Sequence, residues 1–262
     1  MTEAHKLFSD GEAYERLMGR WSRLIGESFL DWLALPNGLR CLDVGCGNGA
    51  FTEVLMARGA PAGVVGLDPS DGQIAFAREQ AGAKTAEFHV GDAQALPFGD
   101  DSFDAALMAL VISFVPNPAK AVAEMARVVR PGGWVATYMW DITNGGLPIV
   151  PLYRAGKSLG LATPGAANPA VSRREALEQL WQRAGLADIE AQAFRTNVVY
   201  ADFDDFWDSN TASGPAGQWV RAMAPEMREQ LRARSREQLP IAADGSIRYE
   251  VFANAVKGRV PA

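Results

Sequence analysis

The sequence of 262 residues is poor in the residues that form disulfide bridges and metal sites. It contains two cysteines, Cys41 and Cys46, and two histidines, His5 and His89, which are far apart in the chain. Because the cysteines share one strand-to-loop segment that would point them apart, we expect no structural disulfide and a reducing, cytoplasmic location. Two distant histidines make a poor zinc site, so no metal is expected.

Long apolar runs and an excess of basic charge are also missing. No uninterrupted apolar stretch approaches the roughly 20 residues that a membrane helix requires, so no integral membrane segment is expected. The first residues lack the basic-then-apolar order of a secretory signal. The formal net charge is −6, from 25 Lys and Arg against 31 Asp and Glu. Since binding to a nucleic-acid backbone normally requires a basic surface, no nucleic-acid partner is expected.

The composition is that of an ordinary folded protein, with 48% hydrophobic and 21% charged residues. After a helical stretch over residues 1–36, the pattern alternates between strands and helices. The predicted strands are Arg40–Val44, Gly63–Asp68, Glu87–Val90, Phe103–Leu110 and Trp134–Trp140. A turn at 130–133 is predicted before the fifth strand, and Ser70 is predicted to cap a helix that ends near Ala81. This alternation predicts a parallel sheet with helices on both faces, in which the carboxyl ends of the strands share one edge. A ligand is expected at that edge.

Beyond residue 140 the pattern is less regular. The segment 141–170 is rich in Gly, Pro and Ala and predicts a long loop with one short helix. Ser172 and Glu175 fit a capping box, which predicts a helix over 172–184. A sixth strand, a helix-rich segment and a last strand are predicted at 187–199, 203–240 and 247–257.

The segment 41–49, with the sequence CLDVGCGNG, connects the first strand to a helix through a glycine-rich turn. Glycines at 45 and 47 would allow a ligand to approach the backbone, and tight turns often require a positive φ. The start of the following helix offers unpaired N–H groups. A purely structural turn between a strand and a helix would have the same composition.

Three acids follow the ends of three successive strands. Asp43 lies in the first, Asp68 comes 23 residues after Gly45, and Asp92 comes 24 residues after Asp68. An acid about 20 residues beyond the glycines suits hydrogen bonding to a ribose diol. Each acid alone would also fit a helix cap or a turn. Because all three acids follow strand ends at a regular spacing from the glycine turn, together they indicate a binding site at one edge of the sheet.

These motifs resemble the cofactor-binding half of class I S-adenosylmethionine-dependent methyltransferases, most closely the ubiquinone/menaquinone-biosynthesis, or methyltransferase type 11, group. The matching pieces occur in the expected order within residues 41–140: LDVGCGNG, GLDPS, GDAQALPF, FDA and RVVRPGG. The resemblance implies an α/β fold with a doubly wound, seven-stranded, mostly parallel sheet whose last strand is antiparallel. It also implies an N-terminal helical lid and inserted helical segments.

The resemblance further implies how the chain would bind S-adenosylmethionine and its product S-adenosylhomocysteine. Gly45 and Gly47 would pack beneath the methionyl part, with Asp43 supporting their loop. Asp68 and the adjoining Pro69 would bind at the ribose, where the carboxylate takes the hydroxyls. No metal is part of this expectation.

Further cofactor contacts are expected from later strand ends and from the N-terminus. Asp92 and the N–H of Ala93 would address the adenine edge, and Leu110 would lie near the methionine moiety. In the N-terminal helix, the residues expected to reach or cover the methionyl carboxylate are Tyr14, Arg20 and Trp21. The alternative is that these three belong to an amphipathic helix that docks on the sheet.

The acceptor site is expected in the segments outside the cofactor-binding half. Trp140, Tyr153 and Trp207 are candidates for binding a small apolar or ring-bearing acceptor, although such aromatics could equally fill a second small core. Relatives often carry a histidine just after the fourth strand, but residues 110–115 contain none. The catalytic residue therefore stays unassigned, with Asp141 and Tyr153 as guesses for a base.

The whole pattern predicts a single methyltransferase domain over 1–262 that transfers a methyl group to a small organic acceptor by direct displacement. Proximity and orientation would supply most of the catalysis. Its parts would be a lid, a cofactor-binding half and two cap insertions, at 1–36, 37–140, 141–171 and 200–246. Two alternatives are a non-catalytic S-adenosylmethionine-binding protein and a nicotinamide-dependent oxidoreductase. The latter does not need the third acid motif, and the chain has no Tyr-x-x-x-Lys motif.

Overall fold

The computed structural model describes residues 20–80, 85–212 and 214–262, with the backbone alone for 20–24. In these residues seven strands form one sheet in the order β3-β2-β1-β4-β5-β7-β6. Strands β1 to β5 run parallel, and β7 lies antiparallel between β5 and β6. The strands are β1 Arg40–Val44, β2 Gly63–Asp68, β3 Glu87–Val90, β4 Phe103–Ala109, β5 Val129–Trp140, β6 Ala187–Tyr200 and β7 Ile247–Arg259. The predicted fold class, including the antiparallel last strand, is confirmed.

Helices connect the strands, and two short 3₁₀ turns lie at 112–114 and 169–172. The α-helices of the described residues are α1 Arg20–Leu33, α2 Ala50–Gly59, α3 Asp71–Glu79, α4 Pro118–Val128, α5 Val150–Ser158, α6 Arg174–Arg183, α7 Phe203–Thr211, α8 Gly214–Arg221 and α9 Pro225–Glu237. The short helix predicted within 141–170 is α5, and the helix-rich segment 203–240 comprises α7 to α9. None of the described helices is long and apolar enough to span a membrane.

Local sequence explains where several elements begin. The Ser70 hydroxyl accepts the N–H of Gln73 and caps α3, as predicted, and the Asn117 amide oxygen caps α4 by accepting the N–H of Lys120. The central strands β1, β2 and β4 are almost continuously buried. They are apolar along their length because helices cover both faces of a parallel sheet.

The aromatic core under α1 supports the strand edge that carries the motifs. Ile25, Phe29 and Leu33 recur at four-residue steps on α1 and are buried. The Phe29 ring packs on Tyr138 of β5 at 4.9 Å between centroids, and Phe51 of α2 joins them at 5.8 Å from Tyr138. These contacts fix α1 and α2 against β5, which holds the start of α2 below the glycine turn.

Two local predictions are wrong for the same reason, since tertiary contacts replaced the local structure. The Ser172 hydroxyl does not cap α6, because it accepts the N–H of Ile142 and donates to the carbonyl of Pro169. The predicted turn 130–133 lies inside β5 as an irregularity in its pairing with β4. There the N–H of Gly132 bonds to the carbonyl of Val260 beyond β7. In contrast, Cys41 and Cys46 are buried free thiols, as predicted.

Candidate active site

A cavity of about 850 Å³ opens at the carboxyl ends of β1, β2 and β4, the edge where a ligand was expected. The lining residues between positions 45 and 139 form one wall, which we call the cofactor side. The lining residues between positions 140 and 216 form the other wall, which we call the cap side. The cofactor side includes the predicted residues Gly45, Gly47, Asp68, Pro69, Asp92, Ala93 and Leu110. The cap side includes the predicted residues Trp140 and Tyr153.

The glycine turn forms the floor of the cofactor side. Gly45 has a φ of +78°, and a Cβ at this position would lie 2.6 Å from a methyl carbon of Val111. The N–H groups of Gly45 and Cys46 both bond to the carbonyl of Leu67, which ties the turn to β2. Gly45 is therefore required both by its backbone conformation and by the close approach of the neighbouring loop.

Asp68, at the end of β2, links the glycine turn to the start of α3. One carboxylate oxygen accepts the N–H of Gly47 at 3.1 Å and the other accepts the N–H of Ser70 at 2.9 Å. These bonds fix the orientation of the carboxylate at the cavity wall, and carboxylate oxygens accept hydrogen bonds from hydroxyl groups. Asp68 can thus accept hydrogen bonds from a pair of adjacent hydroxyls.

Asp43 lies beneath the turn and does not line the cavity. It is fully buried, one oxygen accepts the Thr52 hydroxyl at 2.7 Å, and the other has no hydrogen-bond partner among the described residues. Burial raises the pKa of Asp43 to about 7, against the opposing effect of the Thr52 hydrogen bond. Its contact with Thr52 of α2 places it as a support of the loop rather than as a ligand-contacting group.

Asp92 and Ala93 line the cavity from the segment after β3. One Asp92 oxygen accepts the N–H of Gln94 at 2.8 Å, and the Gln94 side-chain amide also bonds to the carboxylate. The Gln94 amide oxygen in turn accepts the N–H of Asn117. This network connects the acid to the start of α4 and leaves an exposed carboxylate at one end of the cofactor side.

The end of β4 contributes Leu110 and Val111 to the wall. Leu110 has a φ of +62°, which is uncommon for a side chain other than glycine, and its N–H bonds to the carbonyl of Tyr138 on β5. The turn that follows brings Phe114 to the cavity. Backbone strain of this kind is concentrated at binding and catalytic sites.

The cofactor side fits a nucleoside that carries positive rather than negative charge. Two carboxylates, Asp68 and Asp92, line it, and none of its described lining residues is Lys or Arg. A pyrophosphate would find no cation there, whereas ribose hydroxyls and an ammonium or sulfonium group would find acceptors. The volume lies within the range of about 300–1,000 Å³ that is usual for small-molecule sites.

Of the four remaining predicted site residues, three have side chains outside the described part of the chain and one is buried away from the cavity. Tyr14 lies outside the described residues, and the side chains of Arg20 and Trp21, at the start of α1, are likewise not described. Trp207 is buried below α9, where Arg232 lies over its ring at 5.3 Å, and it does not line the cavity. The contribution of these four residues to ligand binding stays a prediction.

The two residues guessed as a base are unsuited to that role. Burial of Asp141 is outweighed by hydrogen bonds from Asn144, Asn254 and Thr143, which lower its pKa. Its oxygens accept four hydrogen bonds, so the carboxylate serves to hold the loop 141–146. Burial raises the pKa of Tyr153 to about 12, so this phenol stays protonated at neutral pH and is not available as a base.

Some lining residues carried no signal in the sequence. Asn210 is 2% exposed, and its side-chain N–H groups donate to the Tyr200 hydroxyl and the Phe206 carbonyl. Arg154 and Lys157 of α5 also line the cap side. Helical spacing places the two cations on one face of α5, but only the tertiary structure shows that this face borders the cavity.

The sequence of this chain is similar to those of known methyltransferases. Residues 42–137 match the family model described as a methyltransferase domain. A demethylmenaquinone methyltransferase of Renibacterium salmoninarum is 40% identical over 114 residues, which are 44% of this chain and 45% of that protein. A malonyl-[acyl-carrier protein] O-methyltransferase of Erwinia pyrifoliae is 32% identical over 180 residues, which are 69% of this chain and 63% of that protein.

Among solved structures, the chain is similar to phosphoethanolamine N-methyltransferase 2 of Haemonchus contortus in complex with S-adenosyl-L-methionine. The TM-score is 0.54 at 19% identity, and the match covers 87% of this chain and 50% of that one. This likeness shows the fold. The chain spans less than two thirds of the length of the curated relatives named above, and about half in the case of the demethylmenaquinone enzyme.

Proposed function

Because residues 42–137 match the family model of a methyltransferase domain, we propose that this protein transfers the methyl group of S-adenosylmethionine to a small organic acceptor. The observation that carries the proposal is the cofactor side of the cavity. Two carboxylates border it, the glycine turn forms its floor, and no Lys or Arg is among its described lining residues. This charge pattern suits a cationic nucleoside and disfavours the nicotinamide dinucleotide alternative.

Asp68 is proposed to accept the two ribose hydroxyls. Its carboxylate is held by two backbone N–H groups, so it would meet the ligand without reorganisation. Asp92 and Ala93 are proposed to border the adenine, with Gly45, Gly47 and Leu110 around the methionyl part. Residues 141–171 and 200–246 are proposed to form the cap that binds the acceptor.

When bound, S-adenosylmethionine supplies a methyl group on a sulfonium that is already an activated leaving group. The residues of this chain would then mainly align the acceptor and exclude water. Apolar side chains such as Phe114, Trp140 and Ile149 enclose the cavity. Since Tyr153 is protonated and Asp141 is fully hydrogen-bonded, we propose an acceptor that ionises readily and needs no protein base.

Calorimetry with S-adenosylhomocysteine tests the cofactor assignment. Wild-type protein should bind it, and Asp68→Ala should weaken binding about a hundredfold or more, because two hydrogen bonds to a charged group are lost. Asp208→Ala removes an exposed carboxylate outside the cavity and should change nothing. Absence of binding to the wild type would refute the proposal.

Transfer of a labelled methyl group tests catalysis separately. The panel would contain quinols, phenols, fatty acids and acyl thioesters, because relatives named above are a demethylmenaquinone methyltransferase and a malonyl-[acyl-carrier protein] O-methyltransferase. Labelled product that disappears in Asp68→Ala is the expected result. Tight binding of S-adenosylhomocysteine with no labelled product from the panel or a cell extract would favour the non-catalytic alternative.

A further inference from the structure

The two sides of the cavity differ in charge. Both acids that line it, Asp68 and Asp92, belong to the cofactor side. Both cations that line it, Arg154 and Lys157, belong to the cap side, whose described lining residues include no Asp or Glu. A cavity divided in this way favours a cationic ligand on one side and an anionic ligand on the other.

Arg154 and Lys157 lie one turn apart on α5. Neither forms an ion pair or a hydrogen bond through its side chain with any described residue. On α9, in contrast, Arg232 pairs with Asp204 and Arg234 pairs with Glu237. In a chain with a net charge of −6, two adjacent cations that border a cavity and pair with none of the described residues are suited to bind an anionic ligand.

The wall of the cap side next to these cations is apolar. It is formed by side chains from the end of β5, the loop before α5 and α5 itself: Trp140, Leu147, Ile149 and Val150. Apolar walls with a few placed polar groups are typical of small-molecule sites. Such a wall would bind the apolar part of an acceptor while the cations bind its charged group.

Resting on the proposed function, we propose that the methyl acceptor is an amphipathic organic anion. Its apolar body lies against the cap side, and its carboxylate, phosphate or similar group binds Arg154 and Lys157. The guanidinium of Arg154 offers a planar fork for the oxyanion, and the ammonium of Lys157 adds a second donor. The anionic group is therefore a determinant of which molecules the protein accepts.

A matched pair of fluorescent probes tests this inference. The first is 1-anilinonaphthalene-8-sulfonate, and the second is N-phenyl-1-naphthylamine, which has the same ring system without the sulfonate. Binding is measured by fluorescence titration on protein saturated with S-adenosylhomocysteine, so that the cofactor side is filled. Wild-type protein should bind the sulfonate more tightly than the neutral amine.

Two double variants with the same change in net charge separate the site from the overall charge. Arg154→Gln/Lys157→Gln should weaken binding of the sulfonate about tenfold or more, because charge-assisted hydrogen bonds are lost, and leave the neutral amine within about twofold. Arg183→Gln/Arg248→Gln removes two exposed arginines outside the cavity. It should leave the affinity for both probes unchanged.

The outcomes distinguish this inference from the function on which it rests. No saturable binding of the sulfonate, equal affinity for both probes, or equal loss in both double variants would overturn the inference and leave the cofactor assignment intact. A failure of the protein to bind S-adenosylhomocysteine in calorimetry would instead contradict the proposed function. Circular dichroism is measured for each of the two double variants and checks that both remain folded.

Discussion

The cofactor side and the cap side of the cavity are assembled from contacts of very different range. Beneath the cofactor side Thr52 bonds to Asp43 across 9 residues, and within that side Gly47 bonds to Asp68 across 21. Next to the cap side Asn254 bonds to Asp141 across 113 residues, and within that side the carbonyl of Pro148 accepts the hydroxyl of Tyr249, which lies in β7. The first wall is built from consecutive strand ends, and the second depends on the last strand of the sheet.

This difference determines what each wall tolerates. The cofactor side relies on backbone conformation and on small residues, so substitutions that add side-chain atoms there should lower the free energy of unfolding strongly. The cap side relies on side-chain hydrogen bonds that connect distant segments, so substitutions that remove side-chain atoms should lower it there. The following substitutions test this contrast, in order of decreasing expected effect.

Gly45→Ala should have the largest effect on stability. The added methyl meets Val111 at 2.6 Å, and alanine is strained at a φ of +78°, so we expect a loss of about 3 kcal/mol in the free energy of unfolding. Urea-induced unfolding would measure it.

Gly38→Ala is the matched control for this substitution. Gly38 has a φ of +80°, and a Cβ there would have no neighbour within 4 Å, so only the conformational cost of about 1 kcal/mol should remain. Equal losses at both positions would show that the close approach of Val111 contributes nothing.

Asp141→Ala should weaken the cap side by about 2 kcal/mol in the free energy of unfolding, because a buried donor loses its acceptor. That donor is the side-chain amide of Asn254 of β7, and the hydroxyl of the exposed Thr143 loses the same acceptor. Urea-induced unfolding would again measure the loss. Calorimetry with S-adenosylhomocysteine should show unchanged affinity, since no Asp141 contact reaches the described cofactor side. A large loss of that affinity would show that the two walls are not independent.

The effect of Asp43→Asn should depend on pH. Burial raises the pKa of Asp43 in the folded protein to about 7 from 3.8. Its contribution to stability is therefore fully present below about pH 3.8 and is lost as the pH rises towards 7. Relative to Asp43→Asn, the wild type should lose about 2 kcal/mol of unfolding free energy between pH 5 and 7.

Chemical denaturation of both proteins across this pH range checks the prediction. Asn keeps an oxygen that can accept the Thr52 hydroxyl, so the variant should keep the local structure. Parallel pH profiles for the two proteins would mean that Asp43 is not the group that titrates. A profile in which the wild type gains stability as the pH rises would contradict the sign of the shift.

The strand ends on the cofactor side were predictable because their signals are local. The bounds of β1, β2 and β3 agree with the predicted strands, and Ser70 caps α3 as expected. Each depends on residue types within a few positions, such as apolar runs, glycine turns and hydroxyl caps. Parallel pairing then places the successive strand ends at one edge.

The sequence-based predictions failed where a residue with a clear local signal instead contacts a distant part of the chain. The hydroxyl of Ser172, expected to cap α6, instead joins the loop after β5 through Ile142. Gly146 shows the same effect, because a Cβ there would lie 2.3 Å from the carbonyl of Phe252 on β7. Nothing near residue 146 in the sequence indicates that constraint.

By itself, the sequence determined the α/β fold class, the bounds of the first three strands and the position of the glycines and acids that border the cofactor side. These follow from periodicity and spacing, which act over a few residues. The tertiary structure decided which residues form the cap side, and it placed Arg154, Lys157 and Asn210 there while it buried Trp207 below α9. The reason is physical: the cap side forms only when β7 pairs between β5 and β6, and no local pattern encodes which distant side chains that pairing brings together.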